Sequence, residues 1–218
     1  MSSSFPVASP EIVAAWVAGW ARSRRVGPPV GVMGGHHVTV GLPQQRARYV
    51  FAAIAHGDLR RLAGEIPDPW IFLKVCEPTA ALDAVWPHGW VVQPEGFMMT
   101  AALAPSVPPD LPPGYRLVLT EDPSIVATVL DGQGAVAASG RASFAAGHAT
   151  IDQIVTDENH RRRGLGRVVM AALSEAALAR DIRRGILVAT PMGRQLYEAL
   201  GWRLHAHFTT AVIPGEPA

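Results

Sequence analysis

The stretch that most constrains the fold of this chain is residues 149–169, in which an apolar strand is followed by a polar turn, arginines and glycines, and the start of a helix. Gly164 and Gly166 leave no side chain between the backbone N–H groups and an approaching anion. The first turn of a helix adds unpaired N–H donors and the positive end of its dipole. Further positive charge comes from Arg161, Arg162, Arg163 and Arg167. The stretch therefore predicts a phosphate-binding site.

The composition indicates a compact globular protein. Apolar residues make up 49% of the chain and charged residues 17%, which excludes a disordered tail or a coiled coil. A net charge of +1 gives no reason to expect nucleic-acid binding. Cys76 is the single cysteine, so no internal disulfide forms, and its apolar surroundings favour a buried, inert thiol. Without a secretory signal or a membrane-spanning run, we expect a cytoplasmic protein that binds no membrane.

The first half of the sequence predicts a helix followed by alternating strands and helices. Ser9, Pro10 and Glu11 are typical of a helix start, and Trp16 and Trp20 follow at helical spacing as core residues. The remaining predicted elements are a strand over 38–42, a helix over 45–62, a strand over 70–76, a short helix over 79–85, and a strand over 90–103 interrupted at Pro94.

Five prolines in residues 105–114 predict a stiff linker that breaks both helix and sheet. We therefore divide the chain into an N-terminal lobe over 1–104, a linker over 105–114 and a catalytic domain over 115–218. The pattern after the linker is four strands in tight hairpins, a helix, a strand, a helix and a last strand. Their predicted ranges are 115–120, 125–130, 135–144, 149–156, 165–181, 185–189, 192–200 and 202–213.

A faint internal repeat links the two halves. Residues 70–97 show the same strand, short helix, Gly-Trp pair and strand as residues 186–208, with Gly89-Trp90 matching Gly201-Trp202. We interpret the first half as a degenerate copy of the second. Residues 44–48, which we match to the glycine-rich turn, contain no glycine, so one active site is expected.

The second half resembles the GNAT N-acetyltransferases. Residues 161–166, RRRGLG, are similar to that family's acyl-CoA signature, (Gln/Arg)-x-x-Gly-x-(Gly/Ala), and residues 193–202, GRQLYEALGW, to its second hallmark. The resemblance covers roughly residues 112–213. It implies an α/β fold with a mixed sheet, the GNAT acyltransferase fold, and a degenerate GNAT-like N-terminal half.

The resemblance also implies an acyl-CoA site, with acetyl-CoA as co-substrate and no metal. Backbone N–H groups of residues 162–167 would hold the pyrophosphate at the helix start. The strand before the turn would separate from its neighbour and bind the pantetheine and the acyl carbonyl. The residues that these roles fall on are Ile154, Val155, Thr156, Arg161, Arg162, Arg163, Gly164, Leu165, Gly166 and Arg167.

Two candidate catalytic residues follow. Tyr197 matches the family's frequent general acid, which protonates the leaving CoA thiolate, although a phenol of pKa ~10 suits a thiolate of pKa ~8.5 only if the environment narrows that gap. Asp152 is a carboxylate inside an apolar strand, on one face with Ile154 and Thr156. It either collects the amine proton, directly or through water, or pairs with an arginine such as Arg141. Glu158 reads as a solvated turn residue.

The chain departs from the family pattern at two points. Only residues 121–124 separate the first two strands of the second half, where relatives carry helices that close over the acceptor, so we expect the N-terminal half to supply that wall. Thr190 stands where many relatives carry an asparagine that contacts CoA or water. Four histidines are acceptor-pocket groups, ordinary residues or a metal site, and the metal site is disfavoured because it would have too few ligands at suitable spacing. They are His36, His37, His205 and His207.

The sequence predicts an enzyme that moves an acetyl group from acetyl-CoA to a primary amine by direct attack. The acceptor is a small amine, an amino acid or a peptide, because no acid-rich pocket supports a polycationic substrate. We expect a monomer or a homodimer. The alternative is a non-catalytic module of the same fold that binds CoA and serves regulation or a partner.

Overall fold

The computed structural model describes residues 7–105, 107 and 109–215, so Ser106 and Pro108 of the predicted linker lie outside the described residues. The helices are α1 (Pro10–Ser23), α2 (His56–Glu65), α3 (Thr79–Leu82), α4 (Leu165–Leu178) and α5 (Pro191–Ala199), with a 3₁₀ turn at Glu158–His160. The first six strands are β1 (Val30–Val32), β2 (Gly35–Leu42), β3 (Gln45–Phe51), β4 (Ile71–Val75), β5 (Val91–Val92) and β6 (Gly96–Ala102). The other six are β7 (Arg116–Glu121), β8 (Ile125–Leu130), β9 (Val136–Ala145), β10 (His148–Thr156), β11 (Arg184–Ala189) and β12 (Arg203–Val212).

The strands form one mixed sheet in the order β1-β2-β3-β4-β12-β6-β11-β10-β9-β8-β7, with β5 pairing to β12. Two neighbouring pairs are parallel, β3 with β4 and β10 with β11, and each is joined by a helical crossover. The last strand of the chain, β12, lies between β4 and β6, and β6 lies between β12 and β11. The predicted α/β fold with a mixed sheet is confirmed, and strands from before and after the predicted linker belong to the same sheet.

The two halves of the sheet contain the same succession of elements. A hairpin, a helical crossover to a parallel strand, a short helix and a further strand occur as β2-β3-α2-β4-α3-β6 and again as β9-β10-α4-β11-α5-β12. Each final strand pairs with the other half, β6 with β11 and β12 with β4. The arrangement is what an internal repeat with exchanged last strands produces, and the division into lobes stays our prediction.

Helix α1 begins where the sequence predicts. The Ser9 side chain accepts a hydrogen bond from the Ile12 N–H at 3.3 Å, and Pro10 occupies the first turn. The helix lies between the two halves of the sheet, in contact with β9, β10 and β11 and also with β2 and β3. Gly19 allows this close packing, because a Cβ at that position would collide with the Thr150 side chain of β10. The predicted core tryptophans, Trp16 and Trp20, are buried.

The prediction of a helix over residues 45–62 is wrong in its first part. Residues 45–51 form β3, and the helix begins only at His56. The apolar residues Val50 and Phe51 lie on opposite faces of that strand, Val50 toward α1 and Phe51 toward α2. The sequence does not show the alternation of a strand here, because the buried residue at position 48 is an arginine. Strand β1 was not predicted from the sequence either. As a consequence, the segment that corresponds to the glycine-rich turn is 52–55, ahead of α2, and not 44–48.

The second half agrees with its predicted order. The eight elements after residue 114 occur in the expected succession, with boundaries that differ by a few residues. Asp131 closes the β8–β9 hairpin, its Oδ1 accepting hydrogen bonds from the N–H groups of Gln133 and Ala135 at 2.9 Å. Helix α4 buries Leu165, Val169 and Leu173 against one face of the sheet. In the described part of the chain, no helix has the length and apolar character needed to cross a membrane.

Candidate active site

The centre of the candidate site is an opening between the parallel strands β10 and β11. The two strands pair only at Ala149 with Gly185 and at Thr150 with Ile186, although β10 continues to Thr156 and β11 to Ala189. On its other side β10 stays paired with β9 up to Thr156. Asp157 N–H donates to the carbonyl of Ala137, so strand alternation directs the backbone groups of Thr156 away from β9 and into the opening. Within residues 7–105, 107 and 109–215, the backbone groups of Thr156 therefore have no strand partner on the side of the opening.

A bulge in β10 produces this opening. The register with β9 shifts between Asp152 and Val155, and Gln153 has a φ of 54°. The extra residue reverses the side-chain alternation. Asp152 points to the α1 face, whereas Ile154 packs with α4 residues and Thr156 lies near Gly166. The expectation that Asp152 shares a face with Ile154 and Thr156 is therefore wrong.

The predicted anion-binding turn lies at the mouth of the opening. Gly164 caps α4 with a φ of 78°, a left-handed conformation that favours glycine. The first two N–H groups of the helix, on Leu165 and Gly166, have no acceptor within it. Together they face a cleft of about 370 Å³. The residues lining that cleft are Thr156, Arg161, Arg162, Gly164, Leu165, Gly166, Arg167 and Leu196.

Arg163 differs from the other three arginines of the turn. Its guanidinium donates to the Tyr115 hydroxyl at 2.8 Å and to the Asn159 carbonyl at 3.1 Å. The Tyr115 hydroxyl is in turn 2.8 Å from Nδ1 of His160. The side chain of Arg163 therefore holds the turn in shape, and its predicted part in binding the pyrophosphate stays a prediction. Sequence patterns gave no signal for Tyr115, which lies 45 residues from His160.

Tyr197 of α5 lies on the α4 side of the sheet, with 8% of its surface exposed. Its ring packs against Trp202 at a centroid distance of 6.3 Å. Burial, and to a smaller extent the charge of Asp152, raises the pKa of Tyr197 to about 12. The phenol is thus neutral at physiological pH. The environment of Tyr197 widens the difference between the pKa values of the phenol and the thiolate. Proton donation by a general acid would need that difference to be smaller.

Asp152 forms an ion pair that the sequence did not identify. Its Oδ2 accepts a hydrogen bond from Arg24, the residue after α1, at 2.8 Å, and its Oδ1 accepts one from Gln153 N–H at 2.8 Å. Arg141 lies opposite Asp152 in the register with β9, but its guanidinium donates to the Ser23 carbonyl at 3.4 Å. The pairing partner is therefore Arg24 and not Arg141, and the carboxylate is tied to the end of α1.

The N-terminal helix packs beside the opening, against β9, β10 and β11, and its predicted role as a wall of the acceptor pocket stays a prediction. Asp122, in the short β7–β8 connection, accepts hydrogen bonds from Arg25 through its carbonyl at 2.8 Å and contacts it through its carboxylate at 3.0 Å. Trp20 and Arg24 lie on the side of the helix region that faces β3. Arg48 of β3 stacks on the Trp20 ring at 3.3 Å from its centroid, and Arg24 approaches the same ring. Arg24 and Arg48 were not predicted from the sequence, because their only signal there is a charge beside apolar positions.

The other predicted contacts are placed as follows. Thr190 caps α5, its hydroxyl accepting from Gly193 N–H at 3.1 Å, and stays exposed beside Tyr197. Val155 is 60% exposed. His36 and His37 lie in β2, opposite Val50 and Tyr49 of β3, and His205 accepts a hydrogen bond from Ser9 N–H at 3.0 Å. Within the described residues, no three His, Cys, Asp or Glu side chains form a group able to hold a metal ion.

Comparison with known proteins gives a family match and several similar folds. Residues 97–202 match the model of the acetyltransferase (GNAT) family. The GCN5-related N-acetyltransferase from Kribbella flavida has 16% identity and a TM-score of 0.69, over 94% of this chain and 95% of that one. A putative GNAT acetyltransferase from Novosphingobium aromaticivorans has 20% identity and a TM-score of 0.55, over 96% and 100%. No curated protein matches the sequence.

A third solved structure, a tandem GNAT protein from the clavulanic acid biosynthesis pathway, has 19% identity and a TM-score of 0.51 over 72% of this chain and 68% of that one. The family match begins at Phe97, ahead of the expected start near residue 112, and ends at Trp202, ahead of the expected end near residue 213. The earlier start has a structural reason, because β6 pairs with both β11 and β12 and so completes the sheet of the second half.

Proposed function

The chain belongs to the GNAT acetyltransferase superfamily through residues 97–202, and we propose that it transfers an acetyl group from acetyl-CoA to a primary amine. The observation that carries the proposal is the opening between β10 and β11, with the turn before α4 at its mouth and Tyr197 at its side. The tandem arrangement, with a degenerate N-terminal half, is part of the same proposal and is supported by the matching succession of elements.

The residues present fit the chemistry of a CoA thioester. The N–H groups of Leu165 and Gly166, with Arg161, Arg162 and Arg167, suit a pyrophosphate at the helix start. The free backbone groups on the open side of β10, among them those of Thr156, suit the amide groups of pantetheine, as the extra strand of a sheet would. Ile154, Val155 and Thr190 complete the proposed donor site.

An acyl-CoA thioester supplies an activated carbonyl, and the chain's residues position and polarise it. A backbone N–H of the bulged strand donates to the carbonyl oxygen as negative charge develops there. Asp152 receives the proton that the amine loses on attack, directly or through a water molecule. Position and exclusion of water account for most of the rate enhancement.

Tyr197 donates a hydrogen bond to the sulfur as the carbon–sulfur bond breaks. With the phenol pKa near 12 and a thiol pKa of ~8.5, complete proton transfer to the sulfur would cost about 5 kcal/mol. We therefore propose that the tyrosine stabilises the departing thiolate while it keeps its proton, and that the thiolate leaves without being fully protonated by this residue. This role is narrower than the general acid that the sequence resemblance implies.

The test is thermal unfolding of the full chain with acetyl-CoA, followed by an assay of thiol release with a panel of amines. Acetyl-CoA at about 100 times its Kd is expected to stabilise the folded state by about 2.7 kcal/mol, which raises Tm by about 5–10 °C. Thiol release that depends on an amine would support the enzyme. Absence of any shift with millimolar acetyl-CoA or longer acyl-CoAs would overturn the proposal. A shift without thiol release would instead support the non-catalytic CoA-binding module.

A further inference from the structure

Arg48 is a buried cation for which the described residues provide no hydrogen-bond acceptor. It lies in β3, is 5% exposed, and its Nε is buried without a partner. No carbonyl or carboxylate of residues 7–105, 107 or 109–215 accepts a hydrogen bond from its guanidinium. Burial costs the guanidinium its hydration, and among the described residues only the Trp20 ring and the charge of Asp152 offset that cost. Such a group in a folded protein points to an anion that completes it.

The surroundings of Arg48 orient its guanidinium. The group stacks on Trp20 at 3.3 Å from the ring centroid, and Trp20 itself is 3% exposed. Arg24 approaches the same ring at 5.5 Å. Stacking covers one face of the planar group and leaves its N–H edge as the part able to meet an anion, which is the geometry of two-pronged carboxylate recognition.

Charge in this region does not balance. Arg24 and Arg48 are the two cations here, and the acidic partner is Asp152. Burial and the charge of Arg48 lower the pKa of Lys74 well below its usual value, which favours its neutral form. Asp152 is already in contact with Arg24 at 2.8 Å, and Lys74 donates to the Thr210 hydroxyl at 2.9 Å. Burial and the charge of Arg24 lower the pKa of Arg48 to about 9, which leaves it charged at neutral pH. One negative charge on a ligand would compensate it.

The position of Arg48 connects it to the candidate site. Arg48 and Arg24 both lie on the Trp20 ring, and Arg24 contacts the Asp152 carboxylate at 2.8 Å. Asp152 belongs to β10, just beyond the point where its pairing with β11 ends. An anion held by Arg48 would place a neighbouring amine near Asp152.

We propose that Arg48 binds the carboxylate of the acyl acceptor, so that the acceptor is a small amine carrying a carboxylate, such as an amino acid. The inference rests on the proposed function and names its second substrate. A carboxylate is favoured over a phosphate because a single uncompensated charge and a single N–H edge match a monoanion. The amine of such a molecule lies a few bonds from its carboxylate, which suits the arrangement in which Arg48 and Arg24 share the Trp20 ring and Arg24 holds Asp152.

The experiment compares matched acceptors in the thiol-release assay. Each amino acid is paired with its amide and with its decarboxylated amine at about pH 8, below the pKa of Arg48, and rates are compared at equal concentrations of free amine. The parent protein is expected to prefer the carboxylate-bearing member by about 30-fold or more in kcat/KM, as the desolvated ion pair requires. In Arg48→Met the preference is lost, chiefly through a higher KM, while acetyl-CoA still raises Tm by the same amount. Arg48→Lys retains part of the preference.

Two controls separate the possible outcomes. Arg46→Met changes an exposed arginine of the same strand, which pairs with Asp68 at 3.1 Å, and is expected to leave the preference intact. Arg48→Met itself is expected to unfold at or above the parent's Tm without ligand, because the buried charge is removed. If the parent uses the amides and decarboxylated amines as well as it uses the amino acids, the inference is overturned and the proposed function is unaffected. Loss of the acetyl-CoA shift in the parent would overturn the proposed function itself.

Discussion

The two parallel crossovers of this chain have the same topology and differ in one respect. In the first half, β3 and β4 stay paired at five successive positions, from Ala47 with Ile71 to Phe51 with Val75. In the second half, β10 and β11 pair at only two positions before they separate. The connections differ in the same sense, since α2 begins directly after residues 52–55, whereas a longer turn over 157–164 precedes α4.

The comparison shows that the site depends on a defect in pairing. Strand β3 has neighbours on both sides, so its backbone groups are used within the sheet. Strand β10 carries a bulge at Gln153, and its open side offers backbone groups to a ligand. Both halves therefore contain the scaffold, and in the described residues the second half contains the opening at which we propose that the thioester binds. The first half contributes helix α1, which packs against β9, β10 and β11, and the buried charge of Arg48.

The largest effect is expected from an acidic residue at the second position of α4. Gly166→Asp puts a carboxylate next to the N–H groups that we assign to the pyrophosphate. An acid in the first helical turn stabilises the helix, but it repels a phosphate. We expect acetyl-CoA binding to weaken by at least 100-fold with an unchanged or slightly higher Tm of the free protein, measured by calorimetric titration and thermal unfolding.

The first half offers a matched control for that variant. Gly57 is the second residue of α2, as Gly166 is of α4, and a Cβ at Gly57 meets no atom within 4 Å. Gly57→Asp should therefore leave acetyl-CoA affinity at the parent value. If both variants bind acetyl-CoA as the parent does, the pyrophosphate does not bind at the start of α4.

An intermediate effect is expected from Tyr197→Phe, which removes the hydroxyl and keeps the ring. We expect kcat to fall about 10–100-fold with little change in acetyl-CoA affinity, because the hydrogen bond acts on the departing sulfur. The raised pKa adds a test. Because the pKa of the buried phenol is about 12, the phenol keeps its proton at any lower pH. The kcat of the parent should therefore not decline between about pH 8 and pH 10.

Tyr49→Phe, in β3, is the matched control and should leave kcat unchanged. A decline in the parent's kcat with a midpoint near pH 8.5 that is absent from Tyr197→Phe would contradict the neutral, buried phenol.

Much of the second half was predictable because its signals are local. The glycines and arginines of residues 161–167 and the apolar spacing of α4 specify a turn and a helix within one short stretch. The hairpin at Asp131 and the cap at Thr190 are also local. These features follow from hydrogen bonds between residues that are close in sequence, so a pattern suffices to find them.

The contacts that complete the site could not be predicted, because they join distant parts of the chain. Arg24 and Asp152 are 128 residues apart, and nothing in either segment names the other. The reversal of faces at Asp152 depends on a bulge that appears only when β9 and β10 pair. Arg48 was assigned to a helix, since its strand shows no clear alternation once a buried charge interrupts the apolar positions.

The smallest and most local effect is expected in backbone hydrogen exchange. The Thr156 amide faces the opening, whereas Val50, in β3, lies between two paired neighbours. In the free protein we expect the Thr156 amide to exchange at least about 10-fold faster than the Val50 amide, because exchange reports local opening. Acetyl-CoA should slow Thr156 and leave Val50 unchanged, as measured by NMR or by mass spectrometry with fragmentation.

Compounds that contain only part of acetyl-CoA show which part of the ligand protects the Thr156 amide. CoA carries the same pantetheine arm and should protect Thr156 as acetyl-CoA does, whereas ADP reaches only the turn at the start of α4 and should not. Protection of Thr156 by ADP would mean that the opening closes when the turn is filled, without a ligand between the strands. Slow exchange of Thr156 in the free protein would mean that β10 and β11 pair beyond Thr150, and that the two crossovers do not differ in the way that the site requires.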